Sequence, residues 1–541
     1  MKKALLLLLC AGFASAQHEH AAATAKPAVL MEGYGRHQHP IATTSEEAQK
    51  FFNQGMELVF GFNHDEAVRS FARAAQLDPK AAMPHWGMAF ALGPNYNLPP
   101  VPEREKAAWE AMQQALARKA GAPQPEQDYI DAMATRYSAD PNVDRMGLAR
   151  AFKDAMGELA RKYPDDLDAA TLYAESAMDL KPWALYKADG TPNEGTDEIV
   201  AVLESVMRRN PNHPGANHYY IHAVEASNRP ERALDSANRL PALVPAAGHL
   251  VHMPSHIYAR TGDWEASAIS NVRAAEADRK YIQDTGVQGI YPMMYYSHNL
   301  HFIAISRAMQ GRFDEALAAS KQLSANVAPG AIEMPMIQAF LTIEWETLVR
   351  FRKWDDVLRI ARPDDRLAVV IPLYHFSRAA ALAGKMQAKE AETERGLFAA
   401  AVAKVPADAK FGMEDAQKVM VVAAAELDAR LARARGDLDA EIGHWRRAVE
   451  AQDTLMYSEP PTWYYPLRES LGGALLRKGD AAGAEAVFRA DLAKNPRNGR
   501  SLLGLHESLK RQGRDAAASW VKLEFGAAWP PEGEKLTADL L

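Results

Sequence analysis

The chain has 541 residues, 48% of them hydrophobic and 24% charged, with a formal charge of −7 and one cysteine. That length exceeds what a single compact core accommodates, so several domains or a repeat architecture is expected. The composition is that of a folded soluble protein, and the absence of a basic stripe argues against nucleic acid and anionic membrane as partners.

Residues 1–16, MKKALLLLLCAGFASA, join Lys2 and Lys3 to an apolar run too short to span a bilayer and a small-residue end at Ala14-Ser15-Ala16. This predicts a bacterial secretory signal peptide, a periplasmic or secreted protein, and no membrane span after cleavage. Loss of the two lysines takes the charge from −7 to −9. Cys10 lies inside the leader, so metal ligands of the mature chain must be His, carboxylate, Met or backbone. The rival reading, a lipoprotein anchored at Cys10, usually wants a small residue where Leu9 stands. Residues 17–44 read as an extended segment. His18 and His20 lie too near the new N-terminus to carry weight. In GRHQHP, an extended His-x-His sends His37 and His39 to one side, where they could close over a groove; a flexible leader segment is the alternative.

Ala-, Leu-, Glu- and Arg-rich segments with few β-branched runs favour helix, and all-α is the leading class. Residues 48–79 carry Phe51 at position 4, Gly55 at 8, Leu58 at 11, Ala67 at 20, Phe71 at 24, Ala74 at 27 and Pro79 at 32. The pattern resembles the tetratricopeptide repeat (TPR), two antiparallel helices per 34 residues whose small residues permit close approach. Gly472, Gly479, Ala484, Phe488 and Pro496 repeat the frame over residues 465–496, and a further unit starts at Gly499. Weaker copies are marked by GDWEA (262–266), GRFDEA (311–316), RKWDDV (352–357), GKMQAKEA (384–391) and GDLDAE (436–441). About eight to ten hairpins covering most of residues 45–525 are expected, forming a TPR-type solenoid, a superhelical α-α array with irregular inserts. The inserts are LGPNYNLPPVPE (92–103), GAPQPEQ (121–127) and KPWALYKADGTPNEGT (181–196), read as loops that could fold over the groove or ornament the surface. The expected segments are hairpins over 45–95, degenerate helical repeats with Pro-rich inserts over 96–212, His-rich units over 213–330 and a C-terminal array over 331–541.

The middle units place histidines in register. Counting from Pro214, with Ala233 at 20, His218, His222 and Glu225 fall at 5, 9 and 12. From Gly248, with Gly262 at 15, His249, His252 and His256 fall at 2, 5 and 9. From Ser297, with Gly311 at 15, His298 and His301 fall at 2 and 5. At about 100° per residue these positions share one face of the first helix, roughly 130° from the packing positions 4, 7, 8 and 11. In the repeat family that face resembles the lining of the concave groove. Pro254 either kinks or starts its helix, which weakens the face assignment in that unit.

Imidazoles three and four residues apart suit a cation held by neutral nitrogens, whereas a peptide carboxylate is better served by Lys, Arg or Asn. The reading is a groove that binds zinc, copper, iron or manganese through His218, His222, Glu225, His249, His252, His256, His298 and His301, with no nucleotide cofactor. Eight candidates exceed one coordination shell, so two ions or supporting partners are implied. The alternative is a scaffold that binds a peptide or protein partner without metal. His64, a turn residue, and Trp183, Tyr295, Tyr296, Glu459, Trp463 and Arg468 are secondary ligand-binding candidates; aromatic residues at helical spacing more often pack. No familiar hydrolase or phosphate-binding signature is present, so catalysis stays open. Together FFNQGMELVFGFNHDEAVRSF, GANHYYIHAVEAS, GHLVHMPSHIYARTGDW and WYYPLRESLGGALL resemble a family of large exported bacterial TPR proteins. The resemblance implies a binding scaffold and brings no reaction, substrate or cofactor.

Overall fold

The computed structural model describes residues 28–140 and 142–541. The leader with Cys10, and His18 and His20, lie outside the described residues. The rest forms two compact units: one ends at Pro254 and takes in Glu276–Pro292, and the other comprises Ser255–Ala275 and Met293–Leu541. Both consist of helical hairpins. Among the described residues the only paired strands are β1 (Lys410–Phe411) and β2 (Glu414–Asp415). No described helix is long and apolar enough to cross a membrane.

In the first unit, α1 (Glu46–Phe60) and α2 (His64–Leu77) form the hairpin expected over residues 48–79. Ser45 caps α1 by accepting the Ala48 N–H at 3.2 Å, and Glu46 and Glu47 complement the helix dipole. α3 (Met83–Leu92) packs next to α2. A Cβ on Gly55 of α1 would lie 2.3 Å from the Phe71 ring, and one on Gly87 of α3 would lie 2.7 Å from it. Phe71 thus fills the space between two helices that only glycine brings close enough, and burying such a ring stabilises by about 1.5–3 kcal/mol. The chain continues through α4 (Pro102–Arg118), α5 (Gln124–Ala134), α6 (Arg145–Lys162), α7 (Leu167–Met178), α8 (Thr196–Arg209), α9 (Pro214–Val224), α10 (Leu234–Leu243) and α11 (Gly248–His252). The loop expected over 121–127 is shorter than read from its prolines. Pro125 sits in the first turn of α5, where its missing N–H has no partner to lose.

The second unit begins in α12 (Pro254–Thr261). Proline has no N–H to donate, so the chain breaks at Met253 and starts a new helix at Pro254. α13 (Trp264–Thr285) belongs to this unit through Ala275. Paired helices follow: α14 (Tyr296–Met309) with α15 (Phe313–Val327), α16 (Ile343–Arg350) with α17 (Trp354–Arg359), and α18 (Val370–Gly384) with α19 (Ala388–Val402). The last pairs are α20 (Ala416–Ala434) with α21 (Leu438–Gln452), α22 (Arg468–Lys478) with α23 (Ala481–Lys494), and α24 (Gly499–Arg511) with α25 (Asp515–Ala528). The arrangement around Phe71 recurs at Phe488, whose ring lies 2.4 Å from a Cβ built on Gly472 and 2.1 Å from one on Gly504. The turns at Gly311, Gly436 and Gly479 use left-handed backbone, with φ of 77°, 75° and 87°.

Candidate metal centre

Three local features of sequence hold α9 in place. Pro214 occupies its first turn, and His213 caps it through Nδ1, which accepts the Ala216 N–H at 3.1 Å. Gly215 lets the helix press on Phe60, because a Cβ there would lie 2.4 Å from that ring. Every residue of the helix is buried. His218 is 0% exposed, His222 2% and Glu225 1%, so these side chains lie in the interior and do not line an open groove surface as position 5, 9 and 12 suggested.

The outer nitrogens of two imidazoles are fixed. His218 Nδ1 lies 2.6 Å from the Phe60 carbonyl, which can only accept, so Nδ1 carries the proton and Nε2 the lone pair. His222 Nδ1 lies 2.8 Å from Oε1 of Glu225, which likewise leaves the lone pair on Nε2. A carboxylate or carbonyl behind an imidazole, setting its tautomer and raising its basicity, is the usual support of a metal-ligating histidine. His249, on α11 and also buried, completes the group, with one nitrogen of each of His218, His222 and His249 lying within 4.8 Å of the others. The Nε2 atoms of His218 and His249 are 3.2 Å apart. Two nitrogens bound to one tetrahedral ion at about 2.0–2.1 Å stand roughly 3.4 Å apart, close to that spacing. With no ion, His249 Nε2 carries the proton between them and donates it to His218 Nε2.

Aromatic side chains enclose the group. Phe62 stacks on His222 and His249 with ring centroids at 5.9 and 5.4 Å, and meets His218 edge-on at 4.5 Å. It does so with φ of 55°, at the inter-helix position where Gly262, Gly311 and Gly479 stand in other repeats. The left-handed conformation costs a non-glycine residue about 1–2 kcal/mol, and such strain is commonly retained where a side chain has a task. The inserts supply the rest: Tyr96 and Trp183 lie 5.1 and 5.6 Å from His222 and 5.2 Å from each other. Burial, with the Glu225 charge added, holds the Tyr96 phenol well above its ordinary range, so it is a neutral wall. Phe62 and Tyr96 were missed by sequence reasoning, although a phenylalanine at the glycine position of the frame was a usable signal.

The other candidates are distributed more widely. His252 stacks on His249 at 5.6 Å. In the second unit His256 and His298 face one another at 6.0 Å, and both pack on Phe302. His301 stands apart from them: it meets Phe340 edge-on at 5.6 Å, its Nε2 is buried without a hydrogen-bond partner, and burial pushes its imidazole down to about 3. His301 is therefore a neutral packing residue and joins none of the donor groups found among the described residues.

Of the secondary candidates, His64 stacks on Phe62 at 5.6 Å and is pushed down to about 4 by burial and then by Arg104, and Trp183 reaches His222. Tyr295 is half-buried ahead of α14, and the Tyr296 hydroxyl accepts from Gln322 at 2.6 Å. Glu459 accepts from the Tyr457 hydroxyl, Trp463 donates to Glu426, and Arg468 pairs with Asp453. These last three therefore have separate structural partners, and their proximity in sequence does not make one pocket.

No family model matches the chain, and no curated protein matches it. Among solved structures, the human IFIT1 dimer with m7Gppp-AAAA is 12% identical over 90% of each chain with a TM-score of 0.33. Yeast Tom70 is 10% identical over 89% of this chain and 90% of its own, with a TM-score of 0.30. The Cut9–Hcn1 hetero-tetramer of the APC/C is 11% identical over 98% of this chain and 80% of its own, with a TM-score of 0.31. Likeness at that level carries no reading of ligand or activity.

Proposed function

We propose that the protein is an exported TPR-type scaffold whose first unit holds one first-row transition ion through Nε2 of His222, Nε2 of His218 and the facing nitrogen of His249. The observation that carries this reading is the convergence of three buried imidazole nitrogens within 4.8 Å, two of them with the opposite ring nitrogen already engaged by Glu225 and Phe60. A set of neutral nitrogens without thiolate suits zinc or copper(II), and also accommodates iron or manganese. Bound there, the ion would tie α9 to α11. Burial favours this role over peptide clamping, because a peptide cannot reach side chains that are 0–4% exposed. The reading of residues 1–16 as a leader places the ion-loaded protein in the periplasm.

Elemental analysis tests the proposal. Protein purified from its native compartment is expected to carry one equivalent of metal at this site, and the His222→Ala variant to lose it. Wild-type protein that stays metal-free after incubation with zinc and copper(II) would remove the reading and leave a metal-free scaffold.

A further inference from the structure

Residues 29–41 form neither helix nor strand and cross the first unit as a strap held by side chains. Gln49, Asn53 and Glu57, at steps of four, share one face of α1. They accept the Ile41, His39 and His37 N–H groups at 2.9, 3.1 and 2.7 Å. Gln54 accepts the Met31 N–H at 2.7 Å and donates to the Val29 carbonyl at 2.9 Å. Both strap imidazoles also reach one buried carboxylate of α7: His37 Nε2 and His39 Nδ1 donate to Asp168 Oδ2 at 3.0 and 2.7 Å. Behind the strap lies a cavity of about 990 Å³, with His37, Gln38 and His39 in one part of its wall and Asp166, Asn210 and Leu243 in another.

We propose that residues 29–41 are a proton-operated lid on this cavity, docked while His37, His39 and Glu57 hold their protons and released when they lose them. The lid is separate from the metal centre and does not rest on it. Imidazolium rings on Asp168 are held by charge as well as by hydrogen bonds, whereas neutral rings keep one hydrogen bond each and lose the charge. Burial opposes that charge, yet Asp168 holds both His37 and His39 above the ordinary imidazole range. Glu57 acts in the same direction from the acid side. Gly35 of the strap lies directly over its carboxyl group, where a Cβ would stand 2.0 Å from Oε1, and Oε2 has no hydrogen-bond partner. Burial therefore pushes the group up to about 7, and lifting the strap returns it to water.

The other charged and titratable groups around the strap do not reverse the sign. Glu126 of α5 accepts the Ala42 N–H and is raised by burial, so it too takes up a proton on docking. Burial holds the Tyr34 and Tyr129 phenols above their usual range, and both stay neutral. Asp166 accepts from the Tyr129 hydroxyl at 2.8 Å, and Asp165 pairs with Arg209. His213 Nδ1 accepts the Ala216 N–H, so its ring is neutral and donates to Asp168 through Nε2. Burial alone would raise Asp168, yet His37, His213 and His39 hold it well below the usual carboxylate range, ionised throughout. Arg36 stays charged. Every group that titrates between pH 4.5 and 8 thus has a docked value above its free value. Docking is complete below about pH 4.5, the free carboxyl value, and is lost as pH rises through 7.

Hydrogen–deuterium exchange of the full-length protein tests the lid at the Met31, His37, His39 and Ile41 amides, with rates corrected for the intrinsic effect of pH. Their protection is expected to fall between pH 5 and pH 8, about tenfold per pH unit for each proton released, while amides inside α1 keep theirs. The His37→Gln, His39→Gln double variant keeps donors toward Asp168 that do not titrate, and Glu57→Gln keeps the acceptor for the His37 N–H. Each is expected to flatten the profile, and the triple variant to remove most of it; circular dichroism establishes that the variants are folded. Strap protection in wild type that does not change with pH overturns the proposal without need of any variant. So does an unchanged slope in the folded triple variant, or loss of the strap and α1 amides together.

Discussion

Glu225 accepts a hydrogen bond from His222 Nδ1 at 2.8 Å, three residues back in the chain, and both side chains are 1% exposed. A carboxylate so deeply buried is costly without a charged or strongly polarised partner. The proposed ion on the far side of the imidazole ring would add to that polarisation. Glu225→Gln keeps the shape and an acceptor oxygen but removes the charge, and should weaken metal affinity about 10- to 100-fold with folding retained. Competition with a chromophoric chelator measures this; unchanged affinity would show that Glu225 supports packing alone.

Phe62 gives a prediction in which two effects oppose. Phe62→Gly relieves about 1–2 kcal/mol of left-handed strain but deletes a buried ring, a loss of about 3–5 kcal/mol. The net result is destabilisation by roughly 2 kcal/mol in metal-free protein, read by urea unfolding. Metal affinity should fall as well, because His222 and His249 lose the surface they stack on. A variant more stable than wild type would mean that strain outweighs the ring contacts.

The glycines give a matched pair of tests. Gly215→Ala forces a Cβ to within 2.4 Å of the Phe60 ring, and overpacking of that kind costs about 1–3 kcal/mol. Gly396→Ala lies within α19, is exposed and has nothing within 4 Å of the new Cβ. It should stabilise by about 0.5–1 kcal/mol through helix propensity. Denaturant midpoints of opposite sign are expected, and a neutral Gly215→Ala would contradict the close approach of α9.

Glu346 predicts a pH dependence in the second unit. It is buried on α16, accepts from the Thr342 hydroxyl at 2.7 Å, and burial, with Glu426 nearby, pushes its carboxyl up to about 8. A folded-state value above the unfolded value means that the folded protein holds a proton the unfolded chain releases. The associated stability is fully present below about pH 4.5 and is lost as pH rises toward 8, by up to about 1.4 kcal/mol per unit. Glu346→Gln should match wild type near pH 4.5 and exceed it increasingly up to pH 8. Thermal unfolding across that range checks the sign, and parallel profiles would contradict it.

Local rules explain which features were legible in the sequence. The frame could be read because Gly55, Phe71, Gly472 and Phe488 each report one helix contact at a fixed spacing. His218, His222, Glu225 and His249 could be read because the same frame aligned them. Their burial could not, since it depends on inserts that carry Tyr96 and Trp183 onto His222, and loop sequences do not encode where a loop lands. Asp168 was missed because it lies 131 residues from His37 and 129 from His39, a distance that no local pattern spans. His301 followed the register yet faces Phe340, because equivalent positions share a face of the repeat without sharing a neighbour.

Anomalous diffraction at the zinc and copper edges, on crystals of protein purified without added chelator, tests the central claim most directly. The account predicts one buried anomalous peak at about 2.0–2.1 Å from a nitrogen of each of His218, His222 and His249, with Glu225 still bonded to His222 Nδ1. Absence of a peak there after soaking in zinc and copper(II), with the His218 and His249 nitrogens still about 3.2 Å apart, would show that a shared proton, and no metal, holds the two rings together.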